Sequence, residues 1–382
     1  MANKSVAIID IGSSCITALV GERGVNNTFK IKGRGMADYA GFENGQFIEP
    51  DKVKMAVALA VANAETNSGV KITSVFVGVP GEFTSVICKE CAVSFNKKKR
   101  ITNEEINQLY YVGNAYKNHP THTVINNSPI YFTLEDGRRV INPRGVVAQR
   151  LSGLVSFVLA ENNFLDFIEE ILSELGIKSS LYISSCLAEC LHLFEPQVRD
   201  RYVLLVDCGY ITTNVMLARG DGLLYLSNFS MGGGYITADL SSCLKINFNQ
   251  AETLKHKAVI SWQASNEDTY EVLSKDYVTP YSAKDTNQII CDRLDMIIKY
   301  ISKALENCIY EFPEYIPLYL TGGGVCYIKG IKDYFSKRLG RRVEIVTPNI
   351  PHIERPDSSS EIGLLDVSID VLDGVLDIIS KN

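Results

Sequence analysis

The sequence lacks several features that mark membrane, secreted and nucleic-acid-binding proteins. No run of about 18 uncharged apolar residues occurs, so no segment is predicted to span a bilayer. Asp10 ends the first apolar run early, so no signal peptide is expected. A basic excess is missing too: the formal net charge is −6, which gives no general attraction to nucleic acid or anionic lipid. We therefore expect a cytoplasmic protein that binds no nucleic acid.

Paired cysteine motifs are also scarce. The ten cysteines are scattered singly in apolar surroundings, which is typical of reduced thiols in an intracellular protein. Cys88 and Cys91 have the spacing of a metal knuckle, but no second pair or histidine cluster follows at zinc-finger distance. The alternating pattern of residues 83–95 favours a plain β-strand over a metal site.

The sequence does contain alternating strand and helix signals, in a chain too long for one core. It has 382 residues, whereas single cores stop growing at about 250–300, so two lobes are predicted. Residues 5–10 and 16–20 predict a hairpin, followed by a strand at 29–34, a helix with Asp51 as its N-cap, and a buried strand at 72–79. Residues 82–158 predict an inserted α+β domain, with a helix at 103–117 and a solvated turn at 96–100.

The second half repeats the strand-turn-strand pattern. Residues 202–207 and 214–217 predict a second hairpin around a short turn, and residues 318–320 predict a strand that runs directly into three glycines. Helical patterns cover residues 163–175, 188–194, 236–244, 249–257 and 285–309. The chain is therefore predicted to be an α/β protein with an internal duplication.

The two hairpin turns are predicted to face each other and grip a polyphosphate. In each turn an aspartate precedes a glycine, and the backbone N–H groups can converge on an anion. Each aspartate is placed to hold Mg²⁺ through the metal's waters, because Mg²⁺ dehydrates reluctantly. The predicted binding residues are Asp10, Gly12, Ser13 and Ser14 in the first turn, and Asp207, Gly209, Thr212 and Thr213 in the second.

Three further segments could complete a nucleotide site. The glycines Gly322, Gly323 and Gly324 permit a flat ligand such as adenine to lie against the main chain, and Gly232 and Gly233 offer another close approach. Glu252 and Lys255 share a helical face and could reach a ribose and a base. Taken singly, each pattern is more often structural, since such turns are frequent and a Glu–Lys pair is usually a solvated contact.

The order of these elements is that of the actin, sugar-kinase and Hsp70 superfamily, and within it the chain resembles the FtsA family over nearly its whole length. The matching stretches are residues 8–14, 41–48, 142–145, 231–239, 251–255 and 320–324. The resemblance implies an α/β, two-lobed actin-like fold with an inserted α+β subdomain. The first lobe would comprise residues 1–81 and 159–193, completed by 360–382, with 82–158 inserted. The second would comprise 194–248 and 315–359, with 249–314 as its tip.

The resemblance also implies a function. Proteins of this family bind ATP and Mg²⁺, form filaments, and link the tubulin-like protein FtsZ to the membrane and to other division proteins. Residues 82–158 would then be a polymer contact, and the tip would receive the C-terminal tail of FtsZ, where Arg293 matches a family arginine. The alternative for Arg293 is an internal ion pair with Asp292, Asp295 or Glu306. The expected location is the cytoplasmic face of the inner membrane at the division site.

Two departures from the family pattern bear on these expectations. Tyr210, Ile211 and Asn214 stand where the family has small glycines and an acid, so nucleotide is expected to bind weakly or in an altered pose, and hydrolysis to be slow at most. The alternative is a protein that keeps the fold and both turns but no longer binds nucleotide. Residues 363–382 form an apolar stripe with an acidic polar face, which favours core packing over membrane binding. Membrane contact would need a C-terminal amphipathic helix that this sequence does not contain.

Two other functions remain open. A scaffold resembling the type IV pilus assembly protein PilM would bind a short peptide of a membrane partner, and FtsZ-tail binding separates it from the first interpretation. A sugar or acid kinase would need a carboxylate base beside the γ-phosphate. No Asp/Glu motif outside the two metal-site turns offers an obvious candidate, so the kinase interpretation is disfavoured.

Overall fold

A computed structural model describes residues 5–24, 28–43, 45–274, 277–351 and 353–378. The strands are β1 Val6–Ile11, β2 Cys15–Arg23, β3 Phe29–Asp38, β4 Phe42–Glu43, β5 Gln46–Phe47, β6 Ser74–Val79, β7 Thr84–Arg100, β8 His122–Thr133, β9 Arg139–Val140, β10 Val147–Glu161, β11 Lys178–Ser184, β12 Val203–Cys208, β13 Thr213–Arg219, β14 Gly222–Phe229, β15 Thr269–Ser274, β16 Tyr277–Ser282, β17 Leu318–Thr321 and β18 Val343–Ile345. The helices are α1 Pro50–Ser68, α2 Asn103–Gly113, α3 Asn162–Glu174, α4 Ser185–Leu193, α5 Pro196–Arg199, α6 Gly233–Leu244, α7 Phe248–Lys257, α8 Ala283–Glu306, α9 Ile331–Leu339 and α10 Ser359–Leu372, with 3₁₀ turns at Gly81–Phe83 and Pro356–Ser358.

The first lobe is built on a five-stranded sheet with the order β3-β2-β1-β6-β11. Strands β1 and β2 form the predicted antiparallel hairpin, and β6 and β11 continue the sheet in parallel. Helix α1 packs on β3 at Gly35, where a Cβ would lie 1.9 Å from the carbonyl oxygen of Ala60. The prediction of Asp51 as the N-cap of this helix is wrong: Glu49 is the N-cap, because Pro50 fits the first helical position.

The inserted region forms a separate antiparallel sheet, β7-β10-β8-β9, with α2 packed on it. A capping box between Thr102 and Glu105 starts α2, which ends earlier than predicted, at Gly113. The turn predicted at residues 96–100 is wrong, because these residues end strand β7, where Lys99 and Arg100 pair with β10. Cys88 and Cys91 lie in β7, and no group of three or more possible metal ligands was found among the described residues.

The second lobe repeats the first strand for strand. Its sheet has the order β14-β13-β12-β17-β18, in which β12 and β13 form the antiparallel hairpin and β17 and β18 are parallel neighbours. Each sheet therefore places the turn of its hairpin beside the carboxyl end of a parallel strand, where ligands bind in open α/β sheets. The tip of this lobe carries α7, the hairpin β15-β16 and the start of α8. We propose that these sheets mark the subdomains whose boundaries the sequence suggested.

Helix α10 joins the two lobes. Its residues Ile362, Leu364 and Leu365 are buried in a core that also contains residues of β1 and β12, one strand from each lobe. Leu365 and Ile369 of the apolar stripe pack in the core, as expected, whereas Leu372, where the helix ends, is 40% exposed. Residues 379–382 lie outside the described part. Within the described ranges, no helix is long and apolar enough to cross a membrane.

Candidate functional site

A cavity of about 310 Å³ opens between the lobes, at the turns of the two hairpins. It is lined by residues of both lobes, including nine of the residues that the sequence suggested: Asp10, Gly12, Ser13, Ser14, Asp207, Gly209, Thr212, Gly322 and Gly323. Thr213, Gly232, Gly233, Glu252, Lys255 and Gly324 are not among the lining residues. The duplicated sheets thus bring the two turns together.

The two turns are tied to each other across the cavity. Each is closed by its own backbone bond: the Gly12 N–H donates to Cys15 O at 3.0 Å, and the Gly209 N–H donates to Thr212 O at 2.9 Å. The N–H of Ile211 in the second turn then donates to the Oγ of Ser13 in the first, at 3.2 Å. This bond bridges the lobes between the two turns that the sequence predicts to bind phosphate.

The two aspartates border the cavity and are partly buried. Burial raises the pKa of Asp10, although the hydroxyls of Ser185 and Ser360 donate to its Oδ1 at 3.2 and 2.9 Å and oppose the rise. Burial and the charge of Glu82 raise the pKa of Asp207 to about 7. Two carboxylates in so little water need a compensating charge.

Glycine is required in the loop that follows β17 and borders the cavity. A Cβ on Gly322 would lie 2.2 Å from Oδ1 of Asp207, and this residue has a φ of +91°, which side chains rarely allow. A Cβ on Gly323 would lie 2.9 Å from the Cβ of Asp357. The main chain of this loop therefore lies close to Asp207 and to the cavity.

The other predicted glycines support the second turn from behind. The N–H groups of Gly233 and Gly234, at the start of α6, donate to Gly209 O at 2.9 Å and Tyr210 O at 2.7 Å. The N–H of Gly324 donates to Cys208 O at 2.8 Å. These donors hold the turn in place, so ligand contacts by Gly232, Gly233 and Gly324 stay a prediction.

Glu252 and Lys255 form an ion pair beside the cavity. The Lys255 Nζ lies 2.8 Å from Glu252 Oε1 and also donates to Gly233 O at 3.2 Å and Thr237 Oγ1 at 3.1 Å. Burial lowers the pKa of Lys255, which Glu252 opposes. Burial would raise the pKa of Glu252, but hydrogen bonding from His256 and the charge of Lys255 bring it down to about 2. The pair anchors α7 to α6, and its contact with a ribose or base stays a prediction.

The bulky residues of the second turn have defined places. The ring of Tyr210 borders the cavity and packs against Gly234, where a Cβ would lie 2.9 Å from its Cε1. Ile211 packs against the apolar core of the first lobe. Thr213 donates to Met231 O at 2.7 Å and so faces away from a ligand.

Four carboxylates at the cavity were missed from the sequence: Glu82, Glu189, Asp357 and Glu361. No Asp/Glu motif outside the two turns marks Glu82 or Glu189, yet both border the cavity. Glu189 stands in the apolar helix α4 and is 2% exposed. A lone acid on the buried face of an apolar helix could have signalled this. Arg34 and Glu361 also border the cavity and are paired at 2.7 Å.

The residues present fit a hydrated Mg²⁺ ion. Oε2 of Glu189 and Oδ1 of Asn214 are buried without a hydrogen-bond partner, and both side chains border the cavity. Such atoms need a donor, which a metal-bound water supplies. Among the described residues no three possible ligands are placed to hold a metal directly, so Asp10 and Asp207 would hold it through its waters.

Arg293 is already paired inside the second lobe. Its Nε lies 2.6 Å from Oδ2 of Asp239 and its NH2 lies 2.8 Å from Oδ1 of the same carboxylate. Arg293 therefore does form an internal ion pair, as the alternative predicted, but its partner is Asp239 and not Asp292, Asp295 or Glu306. The partner lies on α6, which sequence spacing on α8 could not indicate.

Two family models match the chain. One described as "Cell division protein FtsA" matches residues 204–363, and one described as "SHS2 domain inserted in FTSA" matches residues 81–159. Together they span more than half of the chain.

Curated relatives match over nearly the full chain. The cell division protein FtsA of Enterococcus hirae is 23% identical over 366 residues, which cover 94% of this chain and 82% of that protein. The cell division protein FtsA of Neisseria meningitidis serogroup B is 24% identical over 376 residues, covering 95% and 89%.

Solved structures show the same fold. The PilM-PilN type IV pilus biogenesis complex is similar with a TM-score of 0.62 and 16% identity, covering 95% of this chain and 98% of that one. MreB5 of Spiroplasma citri bound to AMPPNP gives a TM-score of 0.57 and 11% identity, covering 97% and 98%. At these identities the likeness establishes an actin-like fold and no more.

Proposed function

We propose that this chain, which belongs to the FtsA family of cell division proteins, binds ATP with Mg²⁺, forms filaments and links FtsZ to the membrane and to other division proteins. The observation that carries the nucleotide part is the pair of glycine turns facing each other across one cavity, with a partly buried aspartate in each. The likeness to MreB5 bound to AMPPNP supports it. The cytoplasmic face of the inner membrane at the division site is the proposed location.

The residues of the cavity have distinct proposed roles. Free N–H groups of the two turns, with the hydroxyls of Ser14 and Thr212, would donate to phosphate oxygens. Asp10 and Asp207 would orient the waters of Mg²⁺, and that ion would neutralise phosphate charge when bound. The bond between Ser13 and Ile211 would open or lengthen to admit the phosphate, so binding is expected to be weaker than in turns made of glycine.

Adding Mg²⁺ with ATP is expected to raise the melting temperature. A ligand at about 100 times its Kd stabilises the folded state by about 2.7 kcal/mol, which for a chain of this size is on the order of 5 °C. Asp10→Ala and Asp207→Ala should each remove the shift, because each deletes a position for the metal's waters. Differential scanning fluorimetry with and without EDTA measures this.

The matched control is Asp51→Ala, which removes an exposed aspartate in α1 far from the cavity and should leave the shift intact. If the unmutated chain shows no shift at millimolar ATP, the nucleotide part of the proposal is wrong. The fold would then have kept the turns without their ligand.

Binding of an FtsZ C-terminal tail peptide to the tip of the second lobe is the second expected result. Arg293 offers the planar, bidentate donor set that a peptide carboxylate needs, but Asp239 occupies it. Asp239→Asn should therefore strengthen binding several-fold by freeing the guanidinium, and Arg293→Glu should weaken it about tenfold or more. Fluorescence anisotropy with a labelled peptide measures both.

Arg293→Lys is the control, since it keeps the charge but not the fork and should fall between these variants. If the peptide binds all the variants equally, the role given to Arg293 is wrong. If it binds none of them, the link to FtsZ is wrong.

A scaffold function like that of PilM is the second candidate. The hydrogen bond from the Ile211 N–H to Ser13 Oγ joins the lobes through the protein's own atoms, which a scaffold needs more than a nucleotide switch does. Nucleotide-independent behaviour together with no FtsZ-tail binding would favour this candidate. A kinase function gains two possible bases, Glu82 and Glu189, but no observation here indicates a second substrate.

A further inference from the structure

A second and larger space lies between the lobes. It is a groove of about 770 Å³, a volume within the range of small-molecule sites. The first lobe contributes residues of the loop at 45–50 and of the start of α3, and the second lobe contributes residues 228–231 and Tyr300 of α8. Glu82 and Phe83, which precede the inserted sheet, also line it. Apart from Glu82, none of its lining residues borders the cavity of the two turns.

Aromatic rings line the groove from both lobes. On the first lobe the ring of Phe47 stacks on Phe83 and also contacts Phe167, and in both pairs the centroids are 5.4 Å apart. On the second lobe Phe229 stacks on Tyr300 with centroids 5.3 Å apart, and Tyr300 is 42% exposed. The faces of such rings are electron-rich and attract cations as well as apolar groups.

The two charged residues that line the groove are both acids, Glu82 and Glu161, and no lysine, arginine or histidine lines it among the described residues. Glu161 is the N-cap residue of α3, yet its side chain makes no capping hydrogen bond. Burial raises the pKa of Glu82, because the charged form has little water around it, and a cation beside it would offset that cost. The groove therefore combines aromatic faces with negative charge.

We infer that this groove is a binding site for a small organic cation, an ammonium or guanidinium group carried on an apolar or aromatic body. The body packs among the rings, and the cationic head lies against the carboxylates of Glu82 and Glu161. An anion would be repelled by both carboxylates, and a purely apolar ligand would cover them without giving them a partner. This site does not depend on the nucleotide function proposed above, because its rings and Glu161 lie outside the cavity.

Three ligands with the same aromatic ring test the charge preference of the groove. Phenethylamine and 2-phenylethanol differ only in the head group, which is an ammonium in one and a neutral hydroxyl in the other, and 3-phenylpropionate carries a carboxylate. Titration into the full chain, followed by ligand-observed NMR, should give phenethylamine a Kd at least about fivefold lower than that of the alcohol. The carboxylate should bind more weakly than either. Equal Kd values for the amine and the alcohol would overturn the inference.

Substitutions in the groove test the location. Glu161→Gln removes a charge that borders the groove but not the cavity, so it should weaken phenethylamine about fivefold and leave 2-phenylethanol unchanged. Tyr300→Ala should weaken both ligands, because it deletes a ring that packs on the body, and Tyr300→Phe should restore both. If Glu161→Gln leaves the Kd of the amine unaltered, the cation binds elsewhere and the site is wrong.

Asp166→Asn is the matched control for Glu161→Gln. Asp166 is an exposed acid of α3, next to Phe167 in sequence, and it does not line the groove. Its loss should leave the Kd of phenethylamine unchanged. A loss of affinity as large as that of Glu161→Gln would show a general attraction of cations to an acidic protein and would overturn the assigned site.

A blocked dipeptide amide, N-acetyl-Phe-Lys-NH₂, tests whether the cation belongs to a free small molecule. It offers the same ring and an ammonium, together with peptide groups that a small-molecule site has no need to contact. Its Kd should be equal to or higher than that of phenethylamine. A Kd more than about tenfold lower would overturn the assignment to a small molecule and make the groove a site for a basic peptide.

Discussion

Replacing Glu252 with alanine is expected to lower the free energy of unfolding by about 3 kcal/mol, the lower end of the range for a broken buried ion pair. The side chain of Lys255 is 1% exposed, and its ammonium would lose the carboxylate of Glu252 and keep two neutral acceptors. The carboxylate side of the pair is 31% exposed, which limits the loss. Urea unfolding followed by circular dichroism measures the change.

The control for this variant is the double variant Glu252→Gln with Lys255→Met, which removes both charges. It should recover most of the lost stability, because no uncompensated charge stays buried. Because the folded pKa of Glu252 lies below its ordinary value, its contribution is present above about pH 4.5 and is lost as the pH falls towards 2. A double variant as unstable as Glu252→Ala would contradict this account.

The substitution Gly233→Ala is expected to cost about 3 kcal/mol of stability even without nucleotide. A Cβ there would lie 2.0 Å from Gly324 O and 2.4 Å from the Cα of the same residue, and neither backbone atom can move easily. The variant would separate α6 from the glycine loop that follows β17. Thermal unfolding in ligand-free buffer measures the effect.

Ser242→Ala, at an exposed position of the same helix, is the matched control and should change stability by less than about 0.5 kcal/mol. Normal stability of Gly233→Ala combined with weaker nucleotide binding would show that Gly233 contacts ligand instead of supporting the turn. The two roles are therefore distinguishable by one pair of measurements.

The parts of the fold that were predicted are those with local signals. The hairpins β1-β2 and β12-β13 combine β-branched residues with a short glycine turn, so both were found. Strands β15 and β16 mix polar and apolar residues, and β18 has three residues, so neither period nor composition marks them. Residues 96–100 were misassigned because their charges suit a turn, while pairing with β10 overrides that preference.

In the candidate site, too, the residues with a local sequence signal were predicted and the others were not. Asp10 and Asp207 were found because each sits in a recognisable turn. Glu82 and Glu189 come to the cavity from a 3₁₀ turn and from helix α4, and only the tertiary fold brings them there. The glycines at 232–234 gave a correct signal for close approach, but a sequence cannot tell whether a ligand or another loop makes the approach.

The hydrogen bond between Asp10 and Ser360 joins a residue that is synthesised early to one that is synthesised late. The hydroxyl of Ser360 lies 2.9 Å from the carboxylate, and helix α10 packs in the core under β1. On the ribosome the first hairpin emerges early, yet its aspartate has to wait for nearly the whole chain before this partner arrives. The cleft is therefore among the last parts of the molecule to assemble, and a truncated product that lacks α10 leaves Asp10 without this bond.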